Sequence, residues 1–184
     1  MTIAGKIECT IAIPGGVSVS MTDGTIKVTG PKGELSRNFA HPRVNVAIGE
    51  GHVVMNCEYP RIKEKAMLGT FEAHVKNMIK GVTVGFTYNL KVVFSHFPMK
   101  VAVKGKQVQI DNYMGGKASR FANIVGDKTT VKVNGADITV DGIDIEACGQ
   151  TAANMEKATS RRGFDKRVFQ DGIYIVGKSH KVRQ

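Results

Sequence analysis

A chain of 184 residues with 42% hydrophobic content is long enough for one domain or two small ones, and too apolar to be a disordered polymer. A formal net charge of +10 sets up a positive field that attracts polyanions, nucleic acid first and an anionic membrane surface second. No apolar run reaches the roughly 18 residues of a membrane span. The opening MTIAGKIECTIAIPGG is broken by Lys6, Glu8 and Pro14 and does not read as a secretory leader. With the three scattered cysteines Cys9, Cys57 and Cys148, it predicts free thiols in a reducing, cytoplasmic setting.

In chain order, the first predicted strand is Val17–Met21, which alternates at period two. Asp23-Gly24 is a hairpin signal that joins it to the strand Thr25–Thr29. The turn Gly30-Pro31-Lys32-Gly33 leads to a third strand, Glu34–Phe39. Val44, Val46 and Ile48 alternate, and after Gly49-Glu50-Gly51 the chain returns through His52–Asn56. The period then changes. Leu68, Phe71, Val75, Met78 and Ile79 fall at three- and four-residue steps, one face of an amphipathic helix over Ile62–Ile79, with Gly81 expected at its end.

An extended run from Val84 to Phe94 opens a second set. Strands are expected at Met99–Val103 and Val108–Ile110, then a glycine turn Met114-Gly115-Gly116 before Lys117–Phe121. Thr130–Val133 and Asp137–Val140 read as a hairpin around Asn134-Gly135, Ala147–Thr159 as a helix, and Ile173–Val176 as a closing strand. TIKVTGPKGELSRNF (25–39) and QVQIDNYMGGKASRFA (107–122) share a strand, a glycine turn, Ser-Arg and Phe, and each precedes a hairpin and a helix. The fold class expected is α+β, an internal duplication of a unit of roughly 80–100 residues, with domains at 1–82 and 83–184. The alternative is two unrelated β-rich stretches in one domain.

The charge is concentrated. Residues 157–184 carry eight cations, Lys157, Arg161, Arg162, Lys166, Arg167, Lys178, Lys181 and Arg183, against Asp165 and Asp171, a net of +6. The stretch Arg161-Arg162-Gly163-Phe164-Asp165-Lys166-Arg167 is expected on a loop or helix end. There, arginine can fork onto phosphates and Phe164 can stack on a base or sugar. The tail, with Lys178, His180, Lys181 and Arg183, has little to bury and is expected to order only against a polyanion. Lys117 and Arg120, beside the glycine turn of the second unit, join this candidate set. The competing reading is a solvated basic loop.

Catalytic chemistry does not assemble. His41, His52, His74, His96 and His180 show no HxxxH or HxH spacing and none adjoins a cysteine, so no zinc site is expected. There is no GxSxG elbow, and Gly115-Gly116-Lys117-Ala118-Ser119 lacks the upstream glycine and the Ser or Thr after Lys that a phosphate loop needs. Asp137, Asp141, Asp144 and Glu146 cluster, and read as a solvated strand edge rather than a metal site. No enzyme activity, cofactor or metal is expected.

Arg167-Val168-Phe169-Gln170-Asp171-Gly172-Ile173-Tyr174-Ile175, preceded by Gln150-Thr151-Ala152-Ala153, resembles the signature of the L-six family of large-subunit ribosomal proteins, in its archaeal and eukaryotic branch. Where that family has a further aliphatic residue after the QxAA stretch, this chain has polar Asn154. The resemblance implies two homologous domains, each a curved, mostly antiparallel sheet packed on one helix, with the second domain doing most of the rRNA binding. It further implies a position near the factor-binding region, the sarcin–ricin loop and the stalk base. Neighbouring ribosomal proteins and translation factors would lie close by, and no membrane would be involved. The alternative function is a non-ribosomal RNA-binding assembly or translation factor.

Overall fold

Turn chemistry fixes the first sheet. Asp23 and Gly24 both adopt positive φ, 49° and 75°, the backbone a two-residue hairpin turn of matching twist requires. They join β2 (Ser18–Thr22) to β3 (Thr25–Gly30), which pairs in turn with β4 (Gly33–Asn38). A second antiparallel sheet is ordered β1-β6-β5, from Lys6–Ala12, His52–Glu58 and Asn45–Gly49. The computed structural model describes residues 5–49, 51–161, 163, 165 and 167–178.

Strand β1 was not expected. The charges Lys6 and Glu8 hide its alternation, yet Ile7, Cys9 and Ile11 turn inward at period two. Helix α1 (Ile62–Thr83) lies against strands of both sheets, and Leu68, Phe71, Val75, Met78 and Ile79 are all buried. They meet Ile26, Val28, Phe39, Val53 and Met55 in one core. Glu64 accepts the Arg61 N–H at 2.7 Å, half of a capping box that starts the helix.

Gly81 does not end α1, because it is a buried interior residue of the helix. The stop is Gly85, whose φ of 80° supplies the left-handed residue just past the cap at Val84. Lys32 holds the last carbonyls: its backbone N–H donates to Val82 at 3.0 Å and its ammonium to Val84.

The chain divides after Val84 into two units. The second repeats the plan of the first. Strand β7 (Phe86–Val93) stands where β1 stood, and β8 (Lys100–Lys104), β9 (Gln107–Asp111) and β10 (Arg120–Asn123) form the three-stranded meander. β11 (Thr129–Asn134) and β12 (Asp137–Gly142) form the hairpin, and α2 (Ile145–Ala158) the helix. The loop of that hairpin is Gly135-Ala136, one residue later than expected, since Asn134 pairs with Asp137. The sheet order β11-β12-β7 matches β5-β6-β1, and one extra strand, β13 (Gly172–Lys178), is added on the far side of β7. The fold is thus α+β in two tandem units, each carrying two antiparallel sheets and one helix.

Three positions differ from what the sequence leads one to expect. Aligned on Ser-Arg, buried Phe39 corresponds to buried Ala122, whereas Phe121 is 56% exposed. Asp144 is not a solvated edge residue: it caps α2 by accepting the Glu146 N–H at 3.0 Å. Asn154 finds two partners, donating to the Asn123 carbonyl at 2.9 Å and accepting from Gln150 at 2.8 Å.

Burial in the second core pushes the Cys148 thiol up from 9.0 to about 11. Burial raises the hydroxyls of Tyr88 and Tyr113 as well. Above pH 9 the unfolded chain releases these protons while the folded chain keeps them, so alkali favours unfolding. The urea midpoint is expected to fall between pH 9 and 11, and to fall less in Cys148→Ala. A midpoint independent of pH over that window would contradict it.

Candidate nucleic-acid interface

The basic segment is the connection between α2 and β13, and its two ends are tied together. Thr159, directly after α2, is buried. Its carbonyl accepts the Tyr113 hydroxyl at 2.6 Å. Its own hydroxyl accepts the Ile173 N–H at 3.0 Å, from the start of β13, and can donate to the Glu156 carbonyl at 3.2 Å. At the other end, Asp171 accepts the Ser95 N–H at 2.9 Å, and its carbonyl lies 3.4 Å from the Tyr113 hydroxyl. Tyr113 therefore stands at the base of a loop spanning 160–171. It is held there by the short 3-10 turn Tyr113–Gly115, which follows Asn112 in the left-handed region at φ 58°.

Arg120 is part of this base. Its guanidinium donates to the Ala158 carbonyl at 2.6 Å and stacks 4.2 Å above the Tyr113 ring. That satisfies a terminal helix carbonyl and places a cation at the negative end of α2. Within the fold, then, Arg120 serves to hold α2 on the 3-10 turn.

The other described candidates are presented outward. Arg161 is exposed, with its guanidinium 3.4 Å from the Met114 sulfur. Asp165 organises a turn: its side chain accepts the Arg167 N–H at 2.9 Å and its carbonyl accepts the Phe169 N–H, also at 2.9 Å. Arg167 is exposed on that turn, Lys178 is exposed at the end of β13, and Lys117 is exposed beside the 3-10 turn. Arg162, Phe164, Lys166, His180, Lys181 and Arg183 lie outside the described residues.

Carboxylate pairing is uneven over the surface. Some cations sit on carboxylates, as in Lys27–Glu34 at 2.8 Å, Arg43–Glu64 at 3.3 Å and Lys106–Asp127 at 2.7 Å. Among the described residues, no carboxylate pairs with Lys117, Lys157, Arg167 or Lys178. Val168 and Phe169 add apolar surface, 72% and 47% exposed. Beneath the loop lies a cavity of about 190 Å³, walled by Tyr113, Met114, Arg161, Phe169, Asp171 and Tyr174. Exposed cations and accessible π surface on and around one anchored loop fit a folded polyanion. Among the described residues no group of carboxylates, histidines and cysteines could hold a metal.

Sequence reasoning did not find Tyr113 and Thr159. Their only sign was position: Tyr113 precedes the glycine turn, and Thr159 ends an Ala-rich helix. Asp171, which the charge count sets against the cations, ties the loop to Ser95 through its side chain.

The chain is a duplicated α+β fold whose second unit carries a basic loop clamped at its base. The family model for Ribosomal protein L6 matches residues 13–85 and 97–172, one match in each unit. The chain is 48% identical over 178 residues to the large ribosomal subunit protein uL6 of Methanobrevibacter smithii, covering 97% of this chain and 99% of that one. It is 48% identical over 174 residues to the uL6 protein of Methanosarcina mazei, covering 95% and 98%. Against the Archaeoglobus fulgidus protein of the same name, identity is 53% over 154 residues, 84% of this chain and 78% of that one. The chain belongs to the Ribosomal protein L6 family, in its archaeal type. Proteins of this family are structural components of the ribosome, not enzymes.

Removing the Tyr113 hydroxyl leaves the buried Thr159 carbonyl without its partner, a loss of about 1–3 kcal/mol. Tyr113→Phe is therefore expected to lower the urea midpoint and to speed tryptic cleavage at Arg161 and Arg167. Unchanged stability and unchanged cleavage would show that the hydroxyl does not hold the loop.

Proposed function

We propose that this chain is a structural constituent of the large ribosomal subunit in the cytoplasm. On this reading it grips large-subunit rRNA mainly through its second unit, with Arg161, Arg162, Phe164, Lys166 and Arg167 on the 160–171 loop. Lys178 at the end of β13 and His180, Lys181 and Arg183 after it extend the contact, and Lys117 and Arg120 border it. The site on the subunit is the factor-binding region, near the sarcin–ricin loop and the stalk base. Ribosomal proteins at the stalk base are neighbours there, and translation factors pass close by.

The observation that carries this reading is the clamp at Thr159 and Tyr113. A loop already closed at its base does not need RNA to order its ends, so more of each phosphate contact appears as affinity. The charge distribution points the same way, because residues 157–184 hold +6 of the net +10. The relatives' shared description as large-subunit proteins supports the choice of subunit. Recognition by such a loop would be of backbone and shape rather than of base sequence.

Two measurements test it. In a sucrose gradient at high salt, the chain should remain with the large subunit in near-stoichiometric amount; release into the soluble pool would favour an assembly or translation factor instead. For binding to large-subunit rRNA, log K should fall with log salt by about 0.7–0.9 per phosphate neutralised. Replacing Arg161, Arg162, Lys166 and Arg167 together by Ala should weaken binding and flatten that slope. An unchanged slope and affinity would remove this cluster from the interface.

A further inference from the structure

The repeated plan has one asymmetry. In the second unit the outer edge of β7 is covered by β13. In the first, the equivalent strand β1 is the end of its sheet, and no described residue pairs with its outer edge.

The backbone shows which groups that leaves unpaired. The Tyr59 N–H donates to the Gly5 carbonyl at 2.9 Å, and the Ile13 N–H to the Gly51 carbonyl at 2.9 Å. Alternate residues of an antiparallel strand bond to the same neighbour. Ile7, Cys9 and Ile11 therefore face β6 with their backbone groups, and Lys6, Glu8, Thr10 and Ala12 turn theirs outward. In the second unit the bond matching Ile13–Gly51 runs from the Val92 N–H to the Ala136 carbonyl at 2.7 Å. Counting back, Glu8, Thr10 and Ala12 match Thr87, Asn89 and Lys91. Of these, Asn89 and Lys91 are paired in register with Gly177 and Tyr174 of β13. The same positions, in the same phase, are thus paired in one unit and open in the other.

Nothing within β1 blunts the edge. It runs seven residues with no proline and no bulge, and Pro14 falls only past its end. The charges around it are balanced: Lys6 pairs with Glu8 at 3.0 Å, and Lys76 with Glu72 at 2.5 Å on the α1 side, where Glu72 also meets the Cys9 thiol.

We propose that the outer edge of β1 is a strand-addition site, taking an extended segment of a neighbouring protein of the large subunit as an antiparallel fourth strand. This rests on the ribosomal placement argued above. The occupant is identified by chemistry. Only a polypeptide offers N–H and C=O groups alternating at ladder spacing, so RNA does not fit. A second copy would bring another +10 of charge to a locally neutral edge. The covering strand of the second unit shows the required kind: Gly172–Lys178 carries buried Ile173 toward the core, with small Gly177 and Gly172 among its residues. An uncharged segment with alternate apolar side chains, entering antiparallel, meets the same demand at β1.

The test uses the full chain, free and assembled in the large subunit, with hydrogen exchange read at single amides. In the free protein the outward amides of Glu8, Thr10 and Ala12 should exchange fast and those of Cys9 and Ile11 slowly. On assembly the outward set should slow by about tenfold or more. Thr10→Pro removes one outward donor without touching the β6 ladder, and should abolish the slowing at Glu8 and Ala12; Thr10→Val should retain it. A photoreactive side chain at position 10 should cross-link to another ribosomal protein. Outward amides as fast in the subunit as in the free chain would overturn the proposal, as would a cross-link confined to rRNA or to a second copy. If the chain entered subunits normally while these amides stayed fast, the ribosomal reading would survive and the edge site alone would fall. Exclusion from subunits would sink both.

Discussion

Thr159 is the residue through which the second unit is assembled. It is almost wholly buried, and its polar groups are engaged: the N–H with the last turn of α2, the carbonyl with Tyr113, the hydroxyl with Glu156 and Ile173. A buried polar residue is stable only if such partners are met, and here they come from three different elements. Helix, 3-10 turn and final strand are thereby fixed against one another at a point. Loop closure, which the chain would otherwise lose entropy to achieve on binding, is complete in the free protein. Valine has the shape of threonine but could make none of the hydroxyl's bonds, so shape alone does not specify this position.

Much of the fold was legible because periodicity reports burial directly. All five residues of the α1 stripe are in the core, and the hairpin glycines sit where positive φ is needed. The failures have local causes. Gly81 and Gly85 are four residues apart and both are plausible helix stops; which one acts depends on Lys32, brought in from a distant turn to bond the last carbonyls. β1 was hidden because polar side chains on its outer face broke an apolar run that only alternates. The expected match of Phe39 with Phe121 failed since shared composition does not fix phase: a one-residue shift in a strand moves a side chain to the other face.

The candidate interface is legible in its charge and not in its architecture. Net charge over a window identifies a segment that repels itself and attracts phosphate, and it needs no partner to be recognised. The clamp is different, since it joins residues 46 and 58 positions apart in sequence through one hydroxyl. Arg120 marks the boundary between the two kinds of reading. As a basic residue near a glycine turn it reads as a phosphate contact; the fold adds that its guanidinium also bonds a helix carbonyl and stacks on a tyrosine ring.

The duplication also accounts for where RNA-binding chemistry could arise. In the first unit the chain leaves α1 through Gly85 directly into β7, with no room for an intervening loop. In the second, the chain must turn back from α2 to reach the free edge of β7, and the segment 160–171 is that return. Covering the edge therefore creates a long surface connection whose two ends are set by core contacts. Between those ends Arg161 and Arg167 are exposed, so their charges are carried there at little cost to the fold. The asymmetry between the units is then one fact with two faces: the strand that closes one sheet edge is the same strand that suspends the basic loop. Among the described residues the unit without it keeps an open edge, and it carries less of the charge.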